Sequence, residues 1–413
     1  MPLSVATKSL ATNLIAYGAS EVAAKASRLL VVVAVARTLD LTQIGIAASA
    51  MAAGDILKAL TENGAGQRII AAREDTLEAT CNAARRIFWV WCIGLFVVQA
   101  LIAGALFAVG GSGLLAGLIL LMGLEYLFMP AGLVQVALAM RADKLRQTAA
   151  IGGAQVVGAN LFSIALVLFY PSAIALILPR VLSAPIWLFA VRALHPWKPQ
   201  ADVAPAPLRP FIEYGWAVLG IEVVKVLRMQ GDKIVVGLTM GPQALGIYFM
   251  AFNAGLSLSN AFATAFSTVL FPHLSQSGDP AGAMRQSVIV GLVLIAPVVF
   301  LQSVLAPFYV PLLLGDGWDE VAPLVSILCL VAIPTTLWAT AAGWLRVQGK
   351  PQIELWMTCA LAVAVLASTL LLAPFGLFAM AVGYVAVTGG LMVLAAFVTL
   401  HTDLFSSHPQ VQS

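Results

Sequence analysis

The chain has 413 residues, of which 61% are hydrophobic and 10% charged, with a mean hydropathy of +0.96. Soluble globular proteins run about 45–50% apolar and about 25% charged, so a soluble enzyme, a disordered chain and a nucleic-acid-binding domain are excluded, and a polytopic membrane protein remains. The net charge of +3 says little about partners, and the placement of the charges says more.

Apolar runs separated by short polar breaks predict twelve spans, at 12–36, 42–61, 87–109, 113–140, 148–169, 172–194, 213–239, 243–271, 286–310, 321–345, 353–373 and 376–400. A spanning helix uses roughly 20 apolar residues, so twelve leave no room for a sizeable soluble domain. Only helices or closed barrels satisfy the backbone in lipid, and these runs lack the alternation of barrel strands. The N-terminal segment carries one lysine, Lys8, and shows no cleavage-site pattern, so no removable signal peptide is expected. Cys81, Cys92, Cys329 and Cys359 have no paired spacing, which argues against a disulfide framework or a zinc site.

Orientation follows from Lys and Arg. The even-numbered breaks hold thirteen basic residues (Arg68, Arg73, Arg85, Arg86, Arg141, Lys144, Arg146, Arg192, Lys198, Arg209, Arg285, Arg346, Lys350), and the odd ones hold only Arg37. Both termini are therefore expected in the cytoplasm. The cytoplasmic break at 62–86 has mixed charge and is expected to form an amphipathic surface helix. Residues 195–212 contain five prolines (Pro196, Pro199, Pro205, Pro207, Pro210) and are expected to form a stiff, extended linker at the midpoint of the chain.

The two halves repeat one another. Lys25 and Arg28 in span one recur as Lys225 and Arg228 in span seven, 200 residues on, with Glu21 and Glu222 preceding them. Thr38-Leu39 and Ile44-Gly45 recur as Thr239-Met240 and Leu245-Gly246 at an offset of 201, and Arg141 and Arg346 differ by 205. Each half has an even number of spans, so the repeats insert the same way up. The expected architecture is all-α. Residues 1–194 form one six-helix lobe, 195–212 the linker and 213–413 a second six-helix lobe, related by a pseudo-two-fold axis along the membrane normal.

Charges inside the membrane cost at least about 2.5–3.5 kcal/mol each on insertion scales and face protein or a watery cavity. Seven candidate buried bases (Lys25, Arg28, Lys58, Arg180, Lys225, Arg228, Lys233) face five acids (Glu21, Asp55, Glu125, Glu222, Asp232). Helical spacing pairs Glu21 with Lys25, Glu222 with Lys225 and Asp55 with Lys58, and leaves Glu125 and Arg180 as lone charges. Two readings follow. Either the pairs are structural, or the surplus of cations lines a cavity for an anion, with Lys25, Arg28, Lys225, Arg228, Lys58 and Arg180 as the binding groups. On the second reading Glu21, Asp55, Glu125, Glu222 and Asp232 are charge partners or coupling groups. Arg offers bidentate donors to phosphate and Lys a point charge. Asn13, Asn63, Asn160, Asn253 and Asn260 are packing or cap residues, or line the same cavity. No catalytic constellation, metal spacing or phosphate-binding glycine loop occurs. The four histidines (His195, His273, His401, His408) lie outside the spans. A transporter is expected rather than an enzyme, with no cofactor and no nucleic-acid partner.

The passages "LVVVAVARTLDLTQIGIAAS", "LTENGAGQRIIAA", "LAMRADKLRQTAA", "RMQGDKIVVGLTMGPQALGIYFMAFN" and "LLGDGWDEVAPLVSILCLVAIP" resemble the Wzx-type polysaccharide flippase family. That family belongs to the multidrug/oligosaccharidyl-lipid/polysaccharide exporter superfamily. The resemblance covers nearly the whole chain. It implies an exporter of the drug-efflux-like fold in the inner membrane, moving a polyprenyl-diphosphate-linked oligosaccharide to the periplasmic leaflet for O-antigen, capsule or exopolysaccharide synthesis by alternating access. By that resemblance Lys25, Arg28, Lys225 and Arg228 would hold the diphosphate. Proton or sodium is the candidate coupling ion, and a polysaccharide polymerase is a candidate partner. Peptidoglycan-precursor flippases have two further helices, for which this chain has no room. A cation antiporter of the same fold is the alternative, and the cationic bias opposes it. The second break lacks the Gly-x-x-x-Asp-Arg-x-Gly-Arg pattern of the major facilitators, and the external breaks are too short for a glycan ligase.

Overall fold

The structure is a computed structural model and describes residues 23–276, 280–315, 317–348 and 350–405. Every regular element among them is helical. In chain order these are α1 (23–38), α2 (Leu41–Ala59), α3 (Ala65–Ala71), α4 (Leu77–Ala108), α5 (Gly113–Gly123), α6 (Glu125–Phe128), α7 (Leu133–Arg141), α8 (Leu145–Phe169), α9 (Ile174–Leu194), α10 (Arg209–Gln276), α11 (Pro280–Leu314), α12 (Val321–Leu328), α13 (Ala332–Val347), α14 (Pro351–Leu372) and α15 (Leu377–Phe405). Nine stretches among the described residues are long and apolar enough to cross a membrane. One of them, Arg209–Leu256, contains the break of α10 at Gly241 (φ 84°), so the continuous run is two helices. Helix α2 is long enough to span but carries Gln43, Asp55 and Lys58, and is not among the nine. Large apolar side chains such as Leu101, Phe169, Phe189, Trp216 and Phe300 lie on the outside, as expected where the surrounding solvent is lipid.

The chain divides into two compact units, residues 1–249 and 250–413, each with its own packing. In the first unit, α1 and α2 form a hairpin whose tip is capped by Asp40, which accepts from the Gln43 N–H. The hairpin made by the two parts of α10 turns at Gly241, 201 residues later. The repeat extends to single hydrogen bonds. Thr38 donates through Oγ1 to the Ala34 carbonyl at 2.7 Å, and Thr239 donates to the Val235 carbonyl at 2.7 Å. The two hairpins touch through glycines. A Cβ on Gly45 would stand 1.7 Å from the Pro242 carbonyl oxygen, and one on Gly246 would stand 2.4 Å from that of Leu41. Both pairs obey the same offset, so each hairpin presents a glycine to the backbone of the other.

Two expectations for this unit need correction. The break at 62–86 is not one surface helix. Gly64 (φ 77°) starts the short α3, and a 3-10 turn at Glu74–Thr76 leads into α4, which begins ten residues before the predicted span. The early turns of α4 are buried because Cys81, Ala84 and Phe88 pack with Ile69, Val134 and Leu138. Span four is not one helix either. It breaks into α5, α6, the 3-10 turn Met129–Ala131 and α7, where Pro130 removes an N–H donor and Gly132 lets Trp187 approach closely. The proline-rich segment lacks regular structure only up to Leu208, with a turn at 201–202, because α10 already begins at Arg209; it is fastened along its length. The Ala206 N–H donates to the Ala79 carbonyl, Asn82 donates to the Gln200 and Val203 carbonyls at 2.8 and 2.9 Å, and Trp197 donates to Glu78.

The second unit packs the end of α10 with α11–α15. Span ten is broken like span four, here at Cys329–Val331 between α12 and α13. Helix α11 contains Pro297, Pro307 and Pro311. Pro307 cannot donate to the carbonyl four residues back, that of Ser303. Ser326 of α12 supplies the missing donor through Oγ at 2.9 Å, and Ser303 Oγ returns a bond to the Ser326 carbonyl at 2.7 Å. This reciprocal pair satisfies backbone groups that lipid could not.

Candidate functional site

Charged side chains from α1, α2, α6 and α9 and an amide from α10 meet inside the first unit. Asp55, one turn before the end of α2, accepts from Arg180 Nη2 through Oδ1 at 3.0 Å and from Gln230 Nε2 through Oδ2 at 3.0 Å. It thus joins α2 to α9 and to α10. Lys58, one turn further along, pairs with Glu125. Glu125 starts α6, in the broken stretch of span four, and only 11% of its side chain is accessible. Arg28 of α1 lies within charge reach of both Arg180 and Asp55, and Arg180 within that of Glu125. Asn160 donates to Ser27 at 2.8 Å and Gln155 to Ser183 at 3.2 Å, so α8 adds amides beside these charges.

Towards the end of α2 the run of charges continues. Lys225 pairs with Glu222 at 3.2 Å on α10. Glu62, just past α2, interacts with Glu222, Lys225 and Lys58. Partial burial, then the Glu222 carboxylate, raise the Glu62 carboxyl above the usual range, against the pull of Lys225 and Lys58. Deeper in α10, Asp232 is 1% exposed, accepts from Tyr248 Oη at 3.1 Å and pairs with Lys233 at 3.3 Å.

Of the three pairs expected from spacing along one helix, one forms, one does not, and the third, Glu21 with Lys25, lies partly outside the described residues. Glu222 pairs with Lys225 as expected. Asp55 and Lys58 do not pair with each other; each takes a partner on another helix, and those partners are Arg180 and Glu125, the two charges expected to stand alone. Packing explains it, because α9 and α6 bring Arg180 and Glu125 against α2, where each finds an opposite charge. Arg28 carries an interaction of its own. The half-buried Lys25 makes no ion pair with a described residue, and the Nε of Arg228 is buried without an acceptor. Glu21, Asn13 and the side chain of Asn260 lie outside the described residues. Glu62, Gln230 and Gln155 were missed, and only the position of Glu62 at the end of a charged span could have signalled any of them. All four cysteines are free, and no metal-binding cluster occurs among the described residues.

Comparison with known proteins fits this arrangement. The model of the polysaccharide biosynthesis protein family matches residues 34–323. The chain belongs to that family. It is 22% identical over 313 residues to the lipopolysaccharide biosynthesis protein WzxC of Escherichia coli (strain K12), covering 72% of this chain and 62% of that one. It is also 22% identical over 175 residues to the amylovoran biosynthesis protein AmsL of Erwinia amylovora, covering 41% of this chain and 45% of that one. The chain thus spans less than two thirds of the length of these curated relatives. Among solved structures, the lipid II flippase MurJ in an inward closed conformation superposes with a TM-score of 0.78 at 12% identity, over 94% of this chain and 89% of that one. An inward-facing multidrug resistance MATE family transporter of the MOP superfamily superposes with a TM-score of 0.67 at 12% identity, over 96% of each chain. The family member therefore has the fold of this exporter superfamily and is a multi-pass membrane protein.

Proposed function

We propose that this family member is a flippase. It carries a polyprenyl-diphosphate-linked oligosaccharide from the cytoplasmic to the periplasmic leaflet of the bacterial inner membrane, for surface-polysaccharide synthesis. The observation that carries this reading is the Arg180–Asp55 ion pair at 3.0 Å, with Arg28 within charge reach of both, inside a membrane-spanning bundle. Guanidinium groups present paired N–H donors that suit phosphate oxygens. The MurJ likeness and the family's place in polysaccharide biosynthesis support a lipid-linked substrate over a cationic drug.

In this reading residues 1–194 and 213–413 are two six-helix lobes joined by the proline-rich segment, with both termini in the cytoplasm. The headgroup enters from the cytoplasm and meets Arg28, Arg180, Lys25 and Arg228. The lobes rock, the headgroup leaves outward, and the lipid tail stays in the bilayer. Proton or sodium coupling would use the carboxylates at the mouth, Glu62 and Glu222, and a polymerase would take the exported unit. The test is deletion of the gene followed by assay of lipid-linked repeat units. Accumulation on the cytoplasmic face supports the reading, and normal periplasmic delivery refutes it. Single Arg28→Ala and Arg180→Ala variants that reach normal protein levels and retain full polysaccharide output would remove the cationic site from the mechanism.

A further inference from the structure

Asp55 is placed to do more than neutralise Arg180. Its two oxygens serve different helices, one bound to Arg180 of α9 and the other to Gln230 of α10, each at 3.0 Å. In the two-lobe reading α9 closes the first lobe and α10 opens the second. One carboxylate therefore ties the cationic site to a contact between lobes. Arg28 lies within charge reach of the same carboxylate. The next acid, Glu125, is paired with Lys58 and also lies within charge reach of Arg180.

We propose that Asp55 is an exchangeable counter-ion. An arriving diphosphate displaces it from Arg180, and the displacement loosens the α2–α10 contact at Gln230. The chemistry is simple competition. A phosphate oxygen and a carboxylate oxygen are both acceptors for the same Nη2 donor, and the bidentate fork of Arg fits either. Once phosphate holds Arg180, Asp55 stands beside a like charge in a low-dielectric surrounding and moves away from it. Its bond to Gln230 is then lost or redirected, so arrival of the anion and release of the lobes become one event. The returning carboxylate later expels the anion. Asp55 is thus a positioning residue that acts through Arg180 and Gln230. The inference rests on the flippase reading.

The test compares the full-length protein with Asp55→Asn and Gln230→Met, in detergent and in cells. Asparagine keeps the shape of the site, and a rotated Gln230 amide still pairs with it, but the competing charge is gone. Farnesyl diphosphate and free pyrophosphate are the probes, and they separate a lipid diphosphate from a free anion. Asp55→Asn should bind farnesyl diphosphate about tenfold more tightly while polysaccharide export falls several-fold. Gln230→Met should keep the wild-type affinity and also lose export. A merely structural Asp55 would lower affinity and export together, and that result overturns the proposal. So does export at the wild-type level in Gln230→Met, which decides the matter if Asp55→Asn does not fold. Preference for pyrophosphate over the lipid probe also overturns it. Absence of farnesyl diphosphate binding in the wild type would instead defeat the flippase reading beneath it.

Discussion

Replacing Gly45 with alanine places a methyl group 1.7 Å from the Pro242 carbonyl oxygen, where ordinary contact begins at 3.4 Å. The two hairpins must then part by the difference, 1.7 Å. For Gly246→Ala the closest atom is the Leu41 oxygen at 2.4 Å, and the difference is 1.0 Å. Overpacking of this kind costs about 1–3 kcal/mol. In a free helix the same substitution would stabilise by about 1 kcal/mol through propensity, so the sign reverses only because of the crossing. Gly66 provides the control, because nothing lies within 4 Å of its Cβ position. Thermal unfolding of the purified variants in detergent should rank Gly66→Ala at or above wild type, Gly246→Ala below it and Gly45→Ala lowest. One separation of the hairpins relieves both clashes, so the double variant should be little worse than Gly45→Ala alone, a departure from additivity. Gly45→Ala as stable as wild type, or strict additivity in the double variant, would refute the idea that these hairpins cross tightly.

Further outcomes follow from other contacts. Glu125→Gln should destabilise by about 1–2 kcal/mol in thermal unfolding, a buried-pair loss discounted because Lys58 is 38% accessible. Ser326→Ala leaves the Ser303 carbonyl without the donor that Pro307 cannot supply, and should cost about 1–3 kcal/mol in the same assay. Asn82→Ala removes two bonds to the linker, about 1–2 kcal/mol, and should speed proteolytic cleavage of the linker in the purified protein. His195 is held below the usual imidazole range by burial first and by Lys144 second. The unfolded chain therefore binds the extra proton first as the pH falls through its ordinary value near 6.5, and stability drops over that window until the folded form also protonates. His195→Gln should flatten that part of a stability-against-pH curve.

The helical class, most span positions and the internal repeat were legible because each depends on composition or on order along the chain. Apolar runs mark spans whatever they pack against. The Thr38 and Thr239 matches mark equivalent turns because local hydrogen bonds need only local residues. The pairing of Asp55 with Arg180 was not legible, since those residues are 125 positions apart and meet only once α2 and α9 are packed. The break in span four was foreshadowed by Pro130 and Gly132, but hydropathy averages over such a turn. The fastening of the proline-rich segment depends on Asn82 and Glu78, which lie in α4 and show no pattern along the sequence that ties them to residues 195–208.

The correspondence between the halves extends below the level of helices. Offsets of 200 at Lys25, 201 at Thr38 and 205 at Arg141 amount to one residue gained between the first two positions and four more before the third. Such small, stepwise drift is what an ancestral gene doubled end to end would leave behind. The glycine crossing fits such a doubling, because Gly45 meets Pro242 and Gly246 meets Leu41, and neither hairpin can enlarge there without the other giving way.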